Sequence, residues 1–218
     1  MGYRFTAVLF DFDYTLVDSS RGICACFNYA LEKMGLPLAQ AEDICKTIGI
    51  PTPEMLVRVM GEQYRERSEE FRALFREMAE ICMNRETTIL KDTDSTIRFL
   101  KRKGIKLGVV STKTRARIEE FLTQKGLFEF FDIIIGGGDV SNPKPDPEGI
   151  LTAVSKLGVG PEACLYVGDS ITDALAAQRA GLAFAAVLTG TTRREDFKGY
   201  DVMWYMEGLA KLPELVKK

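Results

Sequence analysis

The sequence predicts an α/β protein: a parallel sheet flanked by helices, interrupted by an all-helical insert. Three observations carry this. Apolar runs at 7–10, 105–110, 132–135, 164–167 and 183–188 have the length and continuity of strands buried on both faces. From residue 88 onward they alternate with segments of helical period, the pattern of right-handed crossovers in a parallel sheet. Between the first run and the second, residues 19–87 carry helical patterns alone. The expected organisation is a core formed by 1–18 and 88–218, with a helical domain at 19–87 inserted into it.

In chain order, the first apolar run stops abruptly at Asp11-Phe12-Asp13. Ile23, Phe27, Ala30, Leu31 and Met34 then share a helical face, and Gly35 stops that helix. A short helix is expected over 41–48, a loop over 49–53, and a third helix through Met55, Leu56, Val59 and Met60. The pattern over 64–84 predicts a long amphipathic helix with Phe71, Leu74, Phe75, Met78 and Ile81 inward. In the second half, a helix at 93–103 closes at Gly104, and the strand at 105–110 ends in Ser111-Thr112-Lys113. A helix at 116–125 and the strand at 132–135 follow, then the loop Ser141-Asn142-Pro143-Lys144-Pro145-Asp146-Pro147. A helix carries Ile150, Leu151, Val154 and Leu157, and the strand at 164–167 ends in Gly168-Asp169-Ser170-Ile171-Thr172-Asp173. A small-residue helix at 174–180, the last buried strand, an edge strand at 202–205 and a terminal helix at 209–216 complete the chain.

Composition bounds the function. A length of 218 residues suffices for one core and a smaller satellite domain. The net charge of −2, with acids and bases interspersed, argues against nucleic acid or an anionic membrane as partner. No apolar run approaches membrane-spanning length, and MGYRFTAV lacks the apolar stretch of a secretory signal, so a cytoplasmic location is expected. Five cysteines, Cys24, Cys26, Cys45, Cys82 and Cys164, show no zinc-like spacing and read as reduced, mostly buried thiols. Histidine is absent, which excludes Ser-His-Asp and Cys-His catalysis and any histidine metal site. Acid–base chemistry falls to carboxylates, lysine, tyrosine or cysteine.

The strand ends supply the candidates. The first gives Asp11, Asp13 and Thr15, the second Ser111, the following loop Lys144, and the fourth Asp169 and Asp173. In a parallel sheet such ends converge on one edge, where ligands bind. Carboxylates gathered there need a cation, and hard oxygen ligands favour Mg²⁺. With a lysine and a hydroxyl near a helix start, they suit a phosphoryl group. Plainer readings stand beside these. Asp11 and Asp13 also read as a solvated turn, Ser111 as a helix cap, Lys144 as a loop residue in water and Asp173 as a first-turn helix acid. Lys113 and Arg115 read as a solvated helix face, or as groups that reach substrate.

Order and spacing together resemble the haloacid dehalogenase superfamily, in its phosphatase branch. Its first motif, Asp-x-Asp-x-Thr after an apolar strand, is matched by Asp11-Phe12-Asp13-Tyr14-Thr15. Its strand-ending Ser or Thr is matched by Ser111, its lone lysine by Lys144, and its Gly-Asp-x-x-x-Asp by Gly168 to Asp173. The chain departs from many relatives in having Tyr14 where they have Gly. The resemblance implies a Rossmann-like core with an all-helical cap hinged near 17–20 and 86–91, whose loop at 49–52 reaches toward the leaving group. It implies Mg²⁺-dependent hydrolysis of a small phosphate monoester, of the phosphoglycolate phosphatase type, through an aspartyl-phosphate. Asp11 is then the nucleophile and Asp13 the acid and base. Asp11, the Asp13 backbone carbonyl and Asp169 hold Mg²⁺, and Lys144 neutralises Asp11 and phosphate. Ser111 and backbone amides around Phe12, Asp13 and Thr112 cradle phosphate oxygens, beside Thr15. Asp173 orients Lys144 or a metal-bound water from behind. The expected partner is a small phosphorylated metabolite, and the expected state a monomer or homodimer. A phosphomutase similar to β-phosphoglucomutase and a pyrophosphatase of the same superfamily are the alternatives. A dehalogenase is disfavoured by Asp13, and a phospho-accepting receiver by Asp13 and the helical insert.

Overall fold

A computed structural model describes residues 4–217. The first three residues and the last one of the expected core segments lie outside the described residues. The opening apolar run forms β1 (Ala7–Phe10), followed by the short β2 (Val17–Asp18). The insert contains α1 (Ser20–Lys33), α2 (Ala41–Cys45), α3 (Thr52–Met60) and α4 (Ser68–Cys82). After β3 (Thr88–Ile89) come α5 (Thr93–Arg102), β4 (Lys106–Thr114), α6 (Arg115–Gln124), β5 (Ile133–Gly137) and α7 (Glu148–Leu157). The chain ends with β6 (Cys164–Gly168), α8 (Ile171–Ala180), β7 (Ala183–Val187), β8 (Trp204–Met206) and α9 (Leu212–Leu215).

The chain divides into two compact units, Met1–Val17 with Ile89–Lys218, and Asp18–Thr88. Among the described residues of the first unit, six strands form one sheet in the order β5-β4-β1-β6-β7-β8. Every pairing in it is parallel. Alternate residues of β1 face opposite layers: Val8 and Phe10 belong to one apolar cluster, Ala7 and Leu9 to the other. Both faces are therefore dry, which is why this strand reads as an unbroken apolar run rather than an alternating one. In register, Phe10 lies opposite Val109 on one side and Val167 on the other. Asp11 and Asp169 thus follow β1 and β6 directly, at nearly the level of Ser111 on the neighbouring β4.

The second unit has its own core around Phe27, Leu31, Leu56 and Phe71. Here the structure corrects three expectations. The helix expected from 64 starts at Ser68, and Glu62–Arg67 is a 3₁₀ segment, whose only large apolar side chain is Tyr64. The expected loop at 49–53 ends early, because α3 starts at Thr52 with Pro53 in its first turn. Ile81, expected inward, is 64% exposed, whereas Ala79 and Cys82 are buried with Phe71. Val17–Asp18 and Thr88–Ile89 pair as a two-stranded ribbon where the chain passes between the units.

The five cysteines are free thiols, with Cys26 and Cys82 facing each other in the interior. Among the described residues no helix is long and apolar enough to cross a membrane.

Burial sets the expected mutational contrast. Leu9→Ala, in a fully buried strand position, should cost about 2–5 kcal/mol in denaturant unfolding. Ile81→Ala should stay within about 0.5 kcal/mol of the parent. Equal losses at both positions would contradict the packing described.

Candidate active site

Asp11 follows β1 directly, and its backbone N–H donates to the Val167 carbonyl (2.9 Å), holding the residue between β1 and β6. Asp11 Oδ1 lies 2.8 Å from Lys144 Nζ, with both side chains buried. The contact is a close ion pair without hydrogen-bond alignment, since Oδ1 is otherwise an unpartnered buried oxygen. Lys144 also donates to Asp173 Oδ1 (2.6 Å) and to the Tyr166 hydroxyl (3.1 Å). Asp11, Asp169 and Asp173 place one oxygen each within 4.8 Å of one another, and all three are buried. Thr15 Oγ1 donates to Asp169 Oδ1 (3.4 Å).

Asp173 owes its place to the start of α8. Ser170 Oγ accepts from the Asp173 backbone N–H (3.2 Å), and Asp173 Oδ2 accepts from Ser170 N (3.1 Å) and Oγ (2.6 Å). This reciprocal cap explains the Ser-x-x-Asp spacing. It also uses both Asp173 oxygens: Oδ2 on Ser170, Oδ1 on Lys144 and Tyr166. Two glycines make room for the acids. A Cβ at Gly168 would overlap the Asp173 side chain, and one at Gly190 would overlap Asp169 Oδ2.

The Asp13 carboxylate lies apart from this cluster. Its Oδ2 pairs with Lys113 Nζ at 3.0 Å, both side chains being under a tenth exposed. Lys113 is therefore neither helical nor solvated, as one sequence reading had it. β4 runs on through Ser111 to Thr114, carried by the β-branched Thr112 and Thr114, with an irregularity in its pairing to β5 between Val110 and Thr114. Ser111 is not a helix cap: it is buried within the strand, and its Oγ accepts from the Lys113 backbone N–H (3.4 Å). Thr112, next on β4, is half-buried. Arg115 does lie on a helix, paired with Glu119 (2.8 Å). The Phe12 side chain is core, edge-on to Phe121, so only its backbone faces the site. Lys144 and Asp173 are buried, which removes the solvated-loop reading of the lysine.

Sequence reasoning missed Tyr166, Ser170, Gly190 and Thr189. The Thr189 hydroxyl donates to the Tyr14 carbonyl and ties the segment after β7 to the turn after Asp13. Of these, Ser170 alone carried a readable signal, through its spacing from Asp173.

Electrostatics follow from burial. Removal from water pushes the Asp11 carboxyl from an ordinary 3.8 up to about 6, although the Lys144 ammonium pulls it down. Burial, then repulsion from Asp173 and Asp11, raises Asp169 well above its usual range. Burial acts to lower Lys144, but Asp11 and Asp173 outweigh it and keep the ammonium charged. Four buried carboxylates, Asp11, Asp13, Asp169 and Asp173, face two ammonium groups, Lys113 and Lys144. With all four ionised, two negative charges would be in excess. A divalent cation beside Asp11 and Asp169 matches that excess, and the unsatisfied Asp11 Oδ1 is suited to it.

A parallel sheet whose strand ends converge on buried acids and one lysine defines a phosphoryl-transfer class of α/β hydrolase. The family model for haloacid dehalogenase-like hydrolases matches residues 8–187, and the chain belongs to that family. It is 31% identical to the pyrophosphatase PpaX of Bacillus velezensis over 96% of this chain and 95% of that one. It is 34% identical to a phosphoglycolate phosphatase of Aquifex aeolicus over 84% of each chain. The crystal structure of a haloacid dehalogenase-like protein from Bacteroides fragilis superposes with a TM-score of 0.92 at 42% identity, covering 95% of this chain and 99% of that one.

Tyr14 adopts a left-handed backbone conformation (φ 56°), where a glycine is free and a β-branched residue is strained. Tyr14→Val should therefore be less stable than Tyr14→Asn by about 1 kcal/mol, Asn tolerating this region. Equal melting temperatures for the two variants would contradict that backbone assignment.

Proposed function

We propose that the chain is a Mg²⁺-dependent phosphatase that hydrolyses a small phosphate monoester through an aspartyl-phosphate on Asp11. The observation that carries this reading is the buried Asp11–Lys144 contact at the end of β1, beside Asp169. Asp11 and Asp169, with the Asp13 backbone carbonyl, hold the metal, while Asp173 is spent on Lys144 and Ser170. The bound cation supplies charge that offsets repulsion between nucleophile and phosphate.

The residues then divide the work. Asp11 attacks phosphorus, an Asp11–phosphoryl bond forms, and the ester P–O bond breaks. Asp13, which must enter this step as the neutral acid beside Lys113, gives its proton to the leaving oxygen. It then takes a proton from water, which attacks phosphorus, frees Asp11 and leaves inorganic phosphate. Lys144, Ser111, Thr15 and the backbone N–H groups of Phe12, Asp13 and Thr112 bind phosphate oxygens. From its place in the sequence between Asp13 and Ser111, the helical insert is the cap domain of this reading.

The substrate is of the phosphoglycolate type, supported by the Aquifex relative; the Bacillus relative's name makes pyrophosphate the second candidate. A screen of phosphorylated metabolites, 2-phosphoglycolate and pyrophosphate included, with and without Mg²⁺, tests both. Asp11→Asn should stay folded by circular dichroism and lose at least about a thousandfold in turnover. Undiminished turnover would remove Asp11 as nucleophile.

Asp13→Asn separates the two half-reactions. With 4-nitrophenyl phosphate, whose leaving group needs no proton, it should release a burst of nitrophenolate and then stall. Lack of a burst would move the acid–base role to another group.

The raised Asp11 fixes a pH dependence. The folded chain binds this proton more tightly than the unfolded one, so metal-free stability falls as pH rises from about 4 to about 6. Mg²⁺ competes with the same proton. It should raise the melting temperature more at pH 7 than at pH 5; the reverse order would contradict a metal site at Asp11.

A further inference from the structure

We infer that Tyr166 is a positioning residue for Lys144: its hydroxyl ties the ammonium to the backbone of β4 and sets which way it points. The inference rests on the phosphatase reading of this site. Three oxygens surround the Lys144 ammonium: it donates to Asp173 at 2.6 Å and to the Tyr166 hydroxyl at 3.1 Å, and forms a close ion pair with Asp11 at 2.8 Å. The hydroxyl lies 3.0 Å from the Val110 carbonyl and 3.2 Å from Asp173 Oδ1. Both are acceptors only and the phenol has one proton to give, so whichever takes it, the hydroxyl oxygen keeps a lone pair for Lys144. Burial, reinforced by the charges of Asp173 and Asp11, keeps the phenol neutral.

Packing alone does not call for this hydroxyl. The Tyr166 ring is fully buried and stacks with Phe184, centroids 6.3 Å apart, which a phenylalanine would do as well. A hydroxyl in that wall is unfavourable unless bonded, and its bonds run to Lys144 and to the residue preceding Ser111. The linkage joins β6, the Lys144 loop and β4 at one atom. Its use lies in the reaction. When Asp11 accepts the phosphoryl group, the negative charge moves outward to the phosphoryl oxygens, and Lys144 must follow it. Asp173, nearer and fixed by Ser170, pulls the ammonium inward. The neutral hydroxyl, itself bonded to the Val110 carbonyl, gives the ammonium a further fixed point without adding charge.

Tyr166→Phe removes the hydroxyl and keeps the ring. It should lower kcat about tenfold, as expected for one hydrogen bond to a charged group, with KM changed less than about twofold. Phe184→Leu serves as the packing control and should lower the melting temperature while leaving kcat unchanged. In crystals of Tyr166→Phe, Lys144 Nζ should be displaced from the place it holds between Asp11 and Asp173. Wild-type kcat in this variant overturns the inference. If the parent turns over no phosphorylated compound, the proposed function fails, and the crystal structure alone decides for Tyr166. Lys144 displaced then supports the inference, and Lys144 unmoved overturns it.

Discussion

The ammonium of Lys144, enclosed by Asp11 and Asp173, is the contact on which the rest of the site depends. Removing charged groups from water is expensive, and a buried pair offsets that cost only when its hydrogen bonds are complete. Here the acids outnumber the lysines, so the arrangement is a poor device for stability. Its sense lies in what it leaves unbalanced: more carboxylates than ammonium groups, where β1 and β6 end beside β4. A sheet dry on both faces is what makes this possible. It brings Asp11, Ser111 and Asp169 into register from positions far apart in the chain, and walls them from solvent with the same residues that hold the strands together.

The neighbourhood of the acids is built to hold them close. Gly168 and Gly190 are required by approach: any side chain there would occupy the space of Asp173 or Asp169. The pairing of Ser170 with Asp173 does two jobs, starting α8 and orienting the carboxylate that faces Lys144. The Thr189 hydroxyl anchors the turn after Asp13 from the segment after β7. Tyr14 shows the opposite tendency. It keeps a left-handed turn that glycine would adopt freely.

Much of this was legible in the sequence. The strand preceding Asp11 could be read because burial on both faces writes a continuous apolar run. The acids, Lys144 and Ser111 could be placed because each closes a strand or follows one. The failures have physical causes. Lys113 was assigned to a helix because the strand was stopped at Val110, where apolarity ends, although two β-branched threonines continue it. Ile81 was turned inward by its chemistry, whereas the buried face of α4 is the one shared by Ser68, Phe71, Ala79 and Cys82. Tyr166 was invisible because one aromatic in a buried strand looks the same whether its hydroxyl is bonded to a lysine or idle. Tertiary contacts of this kind carry no local signal.

The central claim is that the excess charge between Asp11 and Asp169 is matched by a divalent cation. Anomalous diffraction from crystals soaked in Mn²⁺, a stand-in for Mg²⁺ with oxygen ligands, tests it most directly. The account predicts one strong peak within about 2.0–2.3 Å of an oxygen from Asp11 and one from Asp169, with Asp173 still on Lys144. A peak coordinated by Asp173 in place of Asp11, or none between these acids, would contradict it.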